Sequence, residues 1–291
     1  MDQETKKLLD VLRTDLTQGA SDLACLGLET IKNYIAETPF KDVKTALCGI
    51  CRLARRVSNL RPSMAPVFSS ALLVEESARL LAEKENCVPV YLGKLKKTIG
   101  VIERRLRSAR DQAARNALLL LKNRHHVLTH SRSATILRVF EMLPRRDVHI
   151  VATESRPGGE GIQTAEALLK MGYRITLIPD TAAGMFIAGV DMVLVGGDAV
   201  LKDGSLVNKS GTYLLALAAH ASGVPFYAVV DTFKFVPRED ISLEEKDSRE
   251  IAALDHPGLE IRNLYFDRTP SPLITGIITE KRKQARKSIS D

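Results

Sequence analysis

The sequence predicts an α/β protein. A helical N-terminal domain over residues 1–122 is followed by a Rossmann-like domain over 123–291, a mostly parallel sheet with helices on both faces. Three observations carry this prediction. Apolar residues recur at three- and four-residue spacing through the first 120 positions. At residue 126 the rhythm changes to short β-rich runs alternating with helical patterns. Polar and glycine residues then cluster where those runs end.

The helical part begins with Leu8, Leu9, Leu12 and Leu16 on one helical face. Ala20, Leu23, Ala24, Gly27, Leu28, Ile31, Tyr34 and Ile35 keep the same spacing. Pro39 and Asn59-Leu60-Arg61-Pro62 punctuate the pattern, because a residue preceding proline avoids helical geometry. A longer helix is predicted over 88–121, with Leu92, Leu95, Ile99, Ile102, Leu106, Ala109 and Ala113 forming a packing seam. Strands are predicted over 126–131, 148–155, 174–180, 192–198 and 225–231. Helices are predicted over 134–141, 162–171 and 212–222, and the apolar run 273–279 adds a strand. The acidic stretch 239–250 is expected to be a surface excursion.

Composition narrows the function classes. The 291 residues are 45% hydrophobic and 26% charged, in the range of globular proteins, and long enough for two domains. No apolar run reaches membrane-spanning length, and the first twenty residues lack an apolar signal core, so a cytoplasmic protein without membrane association is expected. The net charge of +7 is uneven: residues 1–125 hold 22 Lys and Arg against 14 Asp and Glu, whereas 126–291 hold 20 against 21. A basic helical region attracts acidic partners, but no aromatic interleaving supports base stacking. Nucleic-acid binding is therefore the minor reading, as it is for the basic tail Lys281, Arg282, Lys283, Arg286 and Lys287. Cys25, Cys48, Cys51 and Cys87 are expected as reduced thiols. The Cys48–Cys51 pair lies within the helical pattern Val43, Leu47, Ile50, Cys51, Ala54, Val57, with no second ligand pair, so no metal site and no cofactor is expected.

In open parallel sheets ligands bind beyond the carboxyl ends of the strands. There this sequence places Thr129-His130-Ser131, Glu154-Ser155-Arg156-Pro157-Gly158-Gly159-Glu160-Gly161, Asp180-Thr181, Gly196-Gly197-Asp198 and Asp231-Thr232-Phe233-Lys234. A glycine-rich turn feeding a helix exposes amides to an anion, and Arg156 just before it offers a planar two-point grip on phosphate. Lys209 and Lys234 add positive charge. Asp198, after two glycines, is a candidate for an acid/base or a sugar-hydroxyl acceptor, with turn capping as the bland alternative. His130 is read as structural, since no nucleophile elbow surrounds Ser131.

Taken together, Leu128-Thr129-His130-Ser131, Val151-Ala152-Thr153-Glu154-Ser155-Arg156-Pro157, Val195-Gly196-Gly197-Asp198, Val207-Asn208-Lys209-Ser210-Gly211-Thr212, Phe233-Lys234-Phe235 and Phe266-Asp267-Arg268-Thr269-Pro270 resemble a known family, as does Ile277-Ile278-Thr279-Glu280. It is the family of the α, β and δ regulatory subunits of translation initiation factor 2B and their archaeal homologues. Gly19-Ala20-Ser21 and Arg61-Pro62-Ser63-Met64-Ala65-Pro66 resemble its early motifs. The superfamily includes aldose–ketose isomerases acting on methylthioribose-1-phosphate and on ribose-1,5-bisphosphate. For those enzymes the resemblance implies a Cys/Asp pair working between C1 and C2. Asp198 matches the aspartate; Gly19, Ala20, Arg61, Arg156, Asn208, Lys209 and Lys234 match ligand-holding positions. Two positions depart: Ser131 stands where the isomerases have Cys, and Gln18 where they have a basic residue before Gly19-Ala20. A thiol with a pKa of about 8.5 is a workable proton donor, and a serine hydroxyl is a poor one. The expectation is a regulatory subunit that binds a sugar phosphate or nucleotide and pairs with itself or with translation initiation factor 2. The alternative is an isomerase acting through Asp198.

Overall fold

A computed structural model describes residues 2–15, 19–61, 64–240, 243 and 245–285. The chain divides into two compact units, residues 1–108 with Phe233–Val236, and residues 109–232 with 237–291.

The first unit is helical: α1 (Gln3–Thr14), α2 (Ala20–Glu37), α3 (Val43–Leu60), α4 (Ala65–Ala82) and the greater part of α5 (Val88–Ala117). Its helix starts are set locally. The Asp2 carboxylate accepts the Thr5 amide at 2.7 Å and Asp42 accepts the Thr45 amide at 2.7 Å, each satisfying an orphan donor. Pro66 sits in the first turn of α4, where a missing N–H costs nothing. The periodic apolar residues turn inward as their spacing requires: Leu9, Leu12, Leu23, Leu28, Ile31, Ile50 and Val57 are all buried. Along α5 the buried seam is Tyr91, Leu95, Ile99, Ile102, Leu106, Ala109 and Ala113, with Leu92 at its half-buried margin. The α-helix ends at Ala117, and Leu118–Leu121 form a tighter 3-10 turn, so the predicted helix is one turn too long.

In the second unit the parallel strands are β1 (His126–Thr129), β2 (His149–Thr153), β3 (Arg174–Ile178) and β4 (Met192–Val195). Two short strands follow, β5 (Ala199–Val200) and β6 (Leu206–Lys209), then β7 (Phe226–Val229), β8 (Phe266–Thr269), β9 (Gly276–Thr279) and β10 (Arg282–Ala285). The main sheet runs β10-β9-β7-β4-β1-β2-β3, parallel except for β10. The connecting helices are α6 (Ala134–Met142), α7 (Glu160–Lys170), α8 (Ala183–Phe186) and α9 (Thr212–Ala221). Val127, Ile150 and Leu194 pack on one face with Phe140, Leu168 and the final alanines of α5. Leu128, Val151 and Val193 point the other way and are equally buried, so both faces are covered.

A second, three-stranded antiparallel sheet, β5-β6-β8, was not expected from the sequence. Its strands are two to four residues long, too short to show alternation. The acidic stretch, in its described part, carries a 3-10 turn at Ser248–Glu250 and a single bridge between Glu245 and Leu264. No helix among the described residues is long and apolar enough to cross a membrane.

Candidate functional site

The carboxyl ends of β1 and β2 are locked by a network of short polar contacts. Buried His130 carries its Nε2 3.0 Å from the Ser210 carbonyl, which only accepts, so Nε2 is the protonated nitrogen. Nδ1 is then the acceptor for the Thr153 hydroxyl at 2.6 Å. Burial pushes the ring's pKa below the usual histidine value and keeps it neutral, the Asp180 carboxylate 3.9 Å away opposing that shift. With both nitrogens engaged, His130 is a strut between β1 and the turn after β6.

Ser131 and Ser155 both adopt left-handed backbone, with φ of 62° and 60°, where a side chain with a Cβ is uncommon. The Ser131 amide donates to Ser155 Oγ at 2.7 Å, and Thr164 on α7 donates to the Ser131 carbonyl at 3.0 Å. Asp180, at the end of β3, accepts two successive amides, Ser155 at 2.8 Å and Arg156 at 2.7 Å. The backbone of Arg156 is thereby fixed while its guanidinium stays exposed, in an ion pair with no carboxylate among the described residues. The glycines set how closely the pieces approach. A Cβ on Gly161 would lie 1.8 Å from the Thr153 carbonyl oxygen, and one on Gly196 would lie 2.3 Å from Ser133 Oγ.

Lys209 is buried at the end of β6. Its ammonium donates to Glu160 Oε1 at 2.9 Å and lies 3.1 Å from the centre of the Tyr265 ring. Burial pulls the lysine below its ordinary pKa and the Glu160 carboxylate opposes this. Burial and the same carboxylate push the Tyr265 phenol up. Asn208 is turned inward, donating to the Thr212 hydroxyl at 3.0 Å in the first turn of α9. Asp267 accepts the Gly211 amide at 2.7 Å and the Tyr213 amide at 3.1 Å, closing the start of that helix. Burial nevertheless raises its carboxyl to about 6, and its Oδ1 has no partner among the described residues. Asp198 follows Gly196-Gly197, half-buried, with its amide donating to the Val207 carbonyl at 2.8 Å.

In the α/β unit Ser131, Arg156 and Asp198 follow β1, β2 and β4 of the main sheet, while Asn208 and Lys209 end β6 of the small sheet, joined to the main-sheet turns through Lys209–Glu160 and the Asp198 amide bond to Val207. The helical unit holds the other expected residues. Gly19 caps α2 with no side-chain bond, its carbonyl accepting the Asp22 and Leu23 amides, and Ala20 is buried behind it. Arg61 is buried and donates to the Leu12 carbonyl at 3.0 Å and to the Asp15 carbonyl, closing the end of α1. Lys234 is buried in a 3-10 turn. Gln18 lies outside the described residues. Sequence reasoning gave no part to Glu160, Tyr265 or Thr153, and marked Asp180 only as a strand-end residue. A carboxylate immediately after a glycine pair, Gly158-Gly159, at the start of a helix is the signal that could have found Glu160. Among the described residues no group of His, Cys, Asp and Glu is arranged to hold a metal.

The initiation factor 2 subunit family matches residues 16–281. A translation initiation factor eIF-2B subunit 2-like protein of Pyrococcus abyssi is 32% identical over 279 residues, covering 94% of each chain. A ribose 1,5-bisphosphate isomerase of Archaeoglobus fulgidus is 30% identical over 287 residues, covering 96% of this chain and 88% of its own. The crystal structure of the Pyrococcus horikoshii translation initiation factor eIF-2B superposes with a TM-score of 0.83 at 30% identity, over 99% of this chain and 98% of that one.

Proposed function

Since the chain belongs to the initiation factor 2 subunit family, we propose that it is a regulatory, ligand-binding member of it that takes a sugar phosphate or nucleotide at the edge built by Ser131, Arg156 and Lys209. The observation that carries this reading is Ser131. It is held in a left-handed turn by the Ser155 hydroxyl and offers an alcohol at the position where the resemblance to the isomerases implies a thiol. The Ser131 amide held by Ser155, the Arg156 amide held by Asp180, the exposed Arg156 side chain and the Lys209 ammonium are groups suited to recognising an anion without turnover. Arg156 supplies the two-point grip and Lys209 the point charge. Gly19, Ala20, Arg61, Asn208 and Lys234 are assigned supporting positions on the strength of the resemblance alone.

The ligand-bound chain is proposed to pair with itself or with translation initiation factor 2. Phe226, Ile274, Ile277 and Ile278 are interior residues of or beside β7 and β9. Among the exposed apolar side chains, Met185, Phe186, Tyr213, Leu214 and Leu217 gather on α8 and α9, two helices in contact with one another.

A second reading is favoured by one feature. Asp198 retains its place after Gly196-Gly197 and is half-exposed, as an acid/base for an aldose–ketose isomerisation must be. A thermal-shift series with ribose-1,5-bisphosphate, methylthioribose-1-phosphate and nucleoside monophosphates, followed by a turnover assay on each binder, separates the readings. A stabilising shift without product formation supports the regulatory one. Rapid turnover replaces it with the isomerase, and no shift with any of them removes the ligand site.

A further inference from the structure

The helical unit contains a cavity that the family resemblance does not address. It has a volume of about 460 Å³ and is lined by Lys44, Leu47, Cys48, Cys51, Arg52, Arg55 and Arg79, all on α3 and α4. Four cations surround it, and one carboxylate answers them. Glu75, on α4 and mostly buried, accepts Arg55 Nε at 3.1 Å and Nη2 at 2.7 Å, and Arg79 Nη2 at 2.7 Å. These bonds hold the Glu75 carboxyl below the usual carboxylate range. They also hold both guanidiniums in place while leaving the Nη1 group of each without a protein acceptor among the described residues. Neither Lys44 nor Arg52 forms an ion pair among the described residues; Arg52 makes a single contact, 3.7 Å from Cys48 Sγ. The floor is apolar, formed by half-buried Leu47 and buried Cys51.

An apolar floor beneath pre-positioned donors that lack acceptors is the arrangement of a small-molecule site, and the volume lies in the range of such pockets, about 300–1,000 Å³. Two guanidiniums already fixed by Glu75 lose little further freedom on meeting an anion, and their planar forks suit a phosphate better than a single point charge would. We propose that this cavity is a second ligand site, which takes a small organic phosphate whose apolar body rests on Leu47 and Cys51 while its phosphate meets Arg52, Lys44 and the Nη1 groups of Arg55 and Arg79. The Cys48 thiol at its rim is exposed, so occupancy covers it.

The probe is phenyl phosphate, with inorganic phosphate (head only) and benzyl alcohol (body only) as its two halves. The readout on the full-length protein is the rate of Cys48 alkylation by iodoacetamide, followed by mass spectrometry. Exposed Cys87, which does not line the cavity, serves as the internal reference. Millimolar phenyl phosphate should slow Cys48 at least fivefold with Cys87 unchanged, and each half alone should protect it much less. Arg52→Glu and Lys44→Ala, both at exposed positions that leave folding intact, should each raise the concentration needed for protection about tenfold or more. Inclusion of ribose-1,5-bisphosphate at concentrations that give a thermal shift should leave the phenyl phosphate protection of Cys48 unchanged, which separates this site from the one proposed on the α/β unit. Equal Cys48 rates with and without phenyl phosphate, or protection that survives Arg52→Glu undiminished, would overturn the proposal.

Discussion

The Glu160 carboxylate holds the Lys209 ammonium at 2.9 Å, in the seat assigned above to a ligand's phosphate. Any anion arriving there has to displace a carboxylate already paired with a lysine that is only 4% exposed. Glu160→Gln should therefore act in opposite directions on two measurements. Without ligand the melting temperature should fall, because a buried ammonium has lost its counter-charge. With a binding sugar phosphate the ligand-induced shift should grow, corresponding to roughly tenfold tighter binding, about 1.4 kcal/mol. Calorimetry and thermal shift on the two proteins check both signs, and weaker binding in the variant removes the competition argument.

Turnover is the next expectation. Wild type should bind ribose-1,5-bisphosphate and convert it slowly or not at all, since one positioned acid/base group is worth about 10²–10⁴-fold. Ser131→Cys exchanges one atom and should leave binding within about twofold, a small fraction of a tenfold step. Any rate it gains should vanish on adding Asp198→Asn. A coupled isomerase assay on the three proteins decides, and a wild-type rate that depends on Asp198 would falsify the regulatory reading.

Gly161 is predicted to be intolerant of any side chain. Its Cβ would sit 1.8 Å from the Thr153 carbonyl oxygen, a backbone atom with no means of moving aside. Gly161→Ala should cost about 3 kcal/mol or more, by forcing α7 away from β2. Gly184→Ala, where nothing lies within 4 Å, should be nearly neutral. Equal denaturation midpoints for the two variants would contradict the packing described here.

Asp267 should leave a mark on the pH dependence of stability. Its carboxyl is raised to about 6, above the unfolded value of 3.8, so between those pH values the native state holds a proton that the unfolded chain releases. Its stabilising share is complete below about pH 4 and is lost as pH rises to about 6, on the order of 2–3 kcal/mol. His130 acts in the opposite sense: its pKa is lowered, so its share is lost as pH falls below the unfolded value of 6.5. The net slope mixes the two. The clean test is the difference between wild type and Asp267→Asn, which should grow in the variant's favour from pH 4 to pH 6. A flat difference would place the titration elsewhere.

Assembly through α8 and α9 predicts a solution mass above the 32.0 kDa of one chain. Leu214 is 70% exposed and Met185 85%, and with Phe186, Tyr213 and Leu217 on two helices in contact they offer one apolar patch for a partner to cover. Light scattering should report at least a dimer at tens of micromolar, and Leu214→Asp should shift it toward the monomer without changing the melting temperature of dilute protein. A mass unaffected by Leu214→Asp moves the interface elsewhere.

Much of this architecture was legible beforehand, for a physical reason. Strands buried on both faces, such as Met192–Val195, must be apolar throughout, and the helices between them must carry an amphipathic period, so the alternation is written into composition. The small sheet was not legible, because the two residues of β5 cannot display a pattern. Arg156 and Lys209 announced themselves by charge at strand ends. Their surroundings did not: the pairing of Lys209 with Glu160 joins positions 49 residues apart, and the Tyr265 ring beneath the same ammonium comes from further along the chain. Nor was it visible that Arg61 closes the end of α1, since that depends on where a helix 46 to 49 residues earlier stops.

The left-handed backbone at Ser131 restricts what evolution can try there. β-Branched side chains are strongly disfavoured at φ of 62°, and glycine would surrender the functional atom, so serine and cysteine, both without a β-branch and differing in one atom, are close alternatives there. On the reading proposed for this chain, a thiol-bearing relative and this protein would differ here by a single atom, in a backbone that need not move.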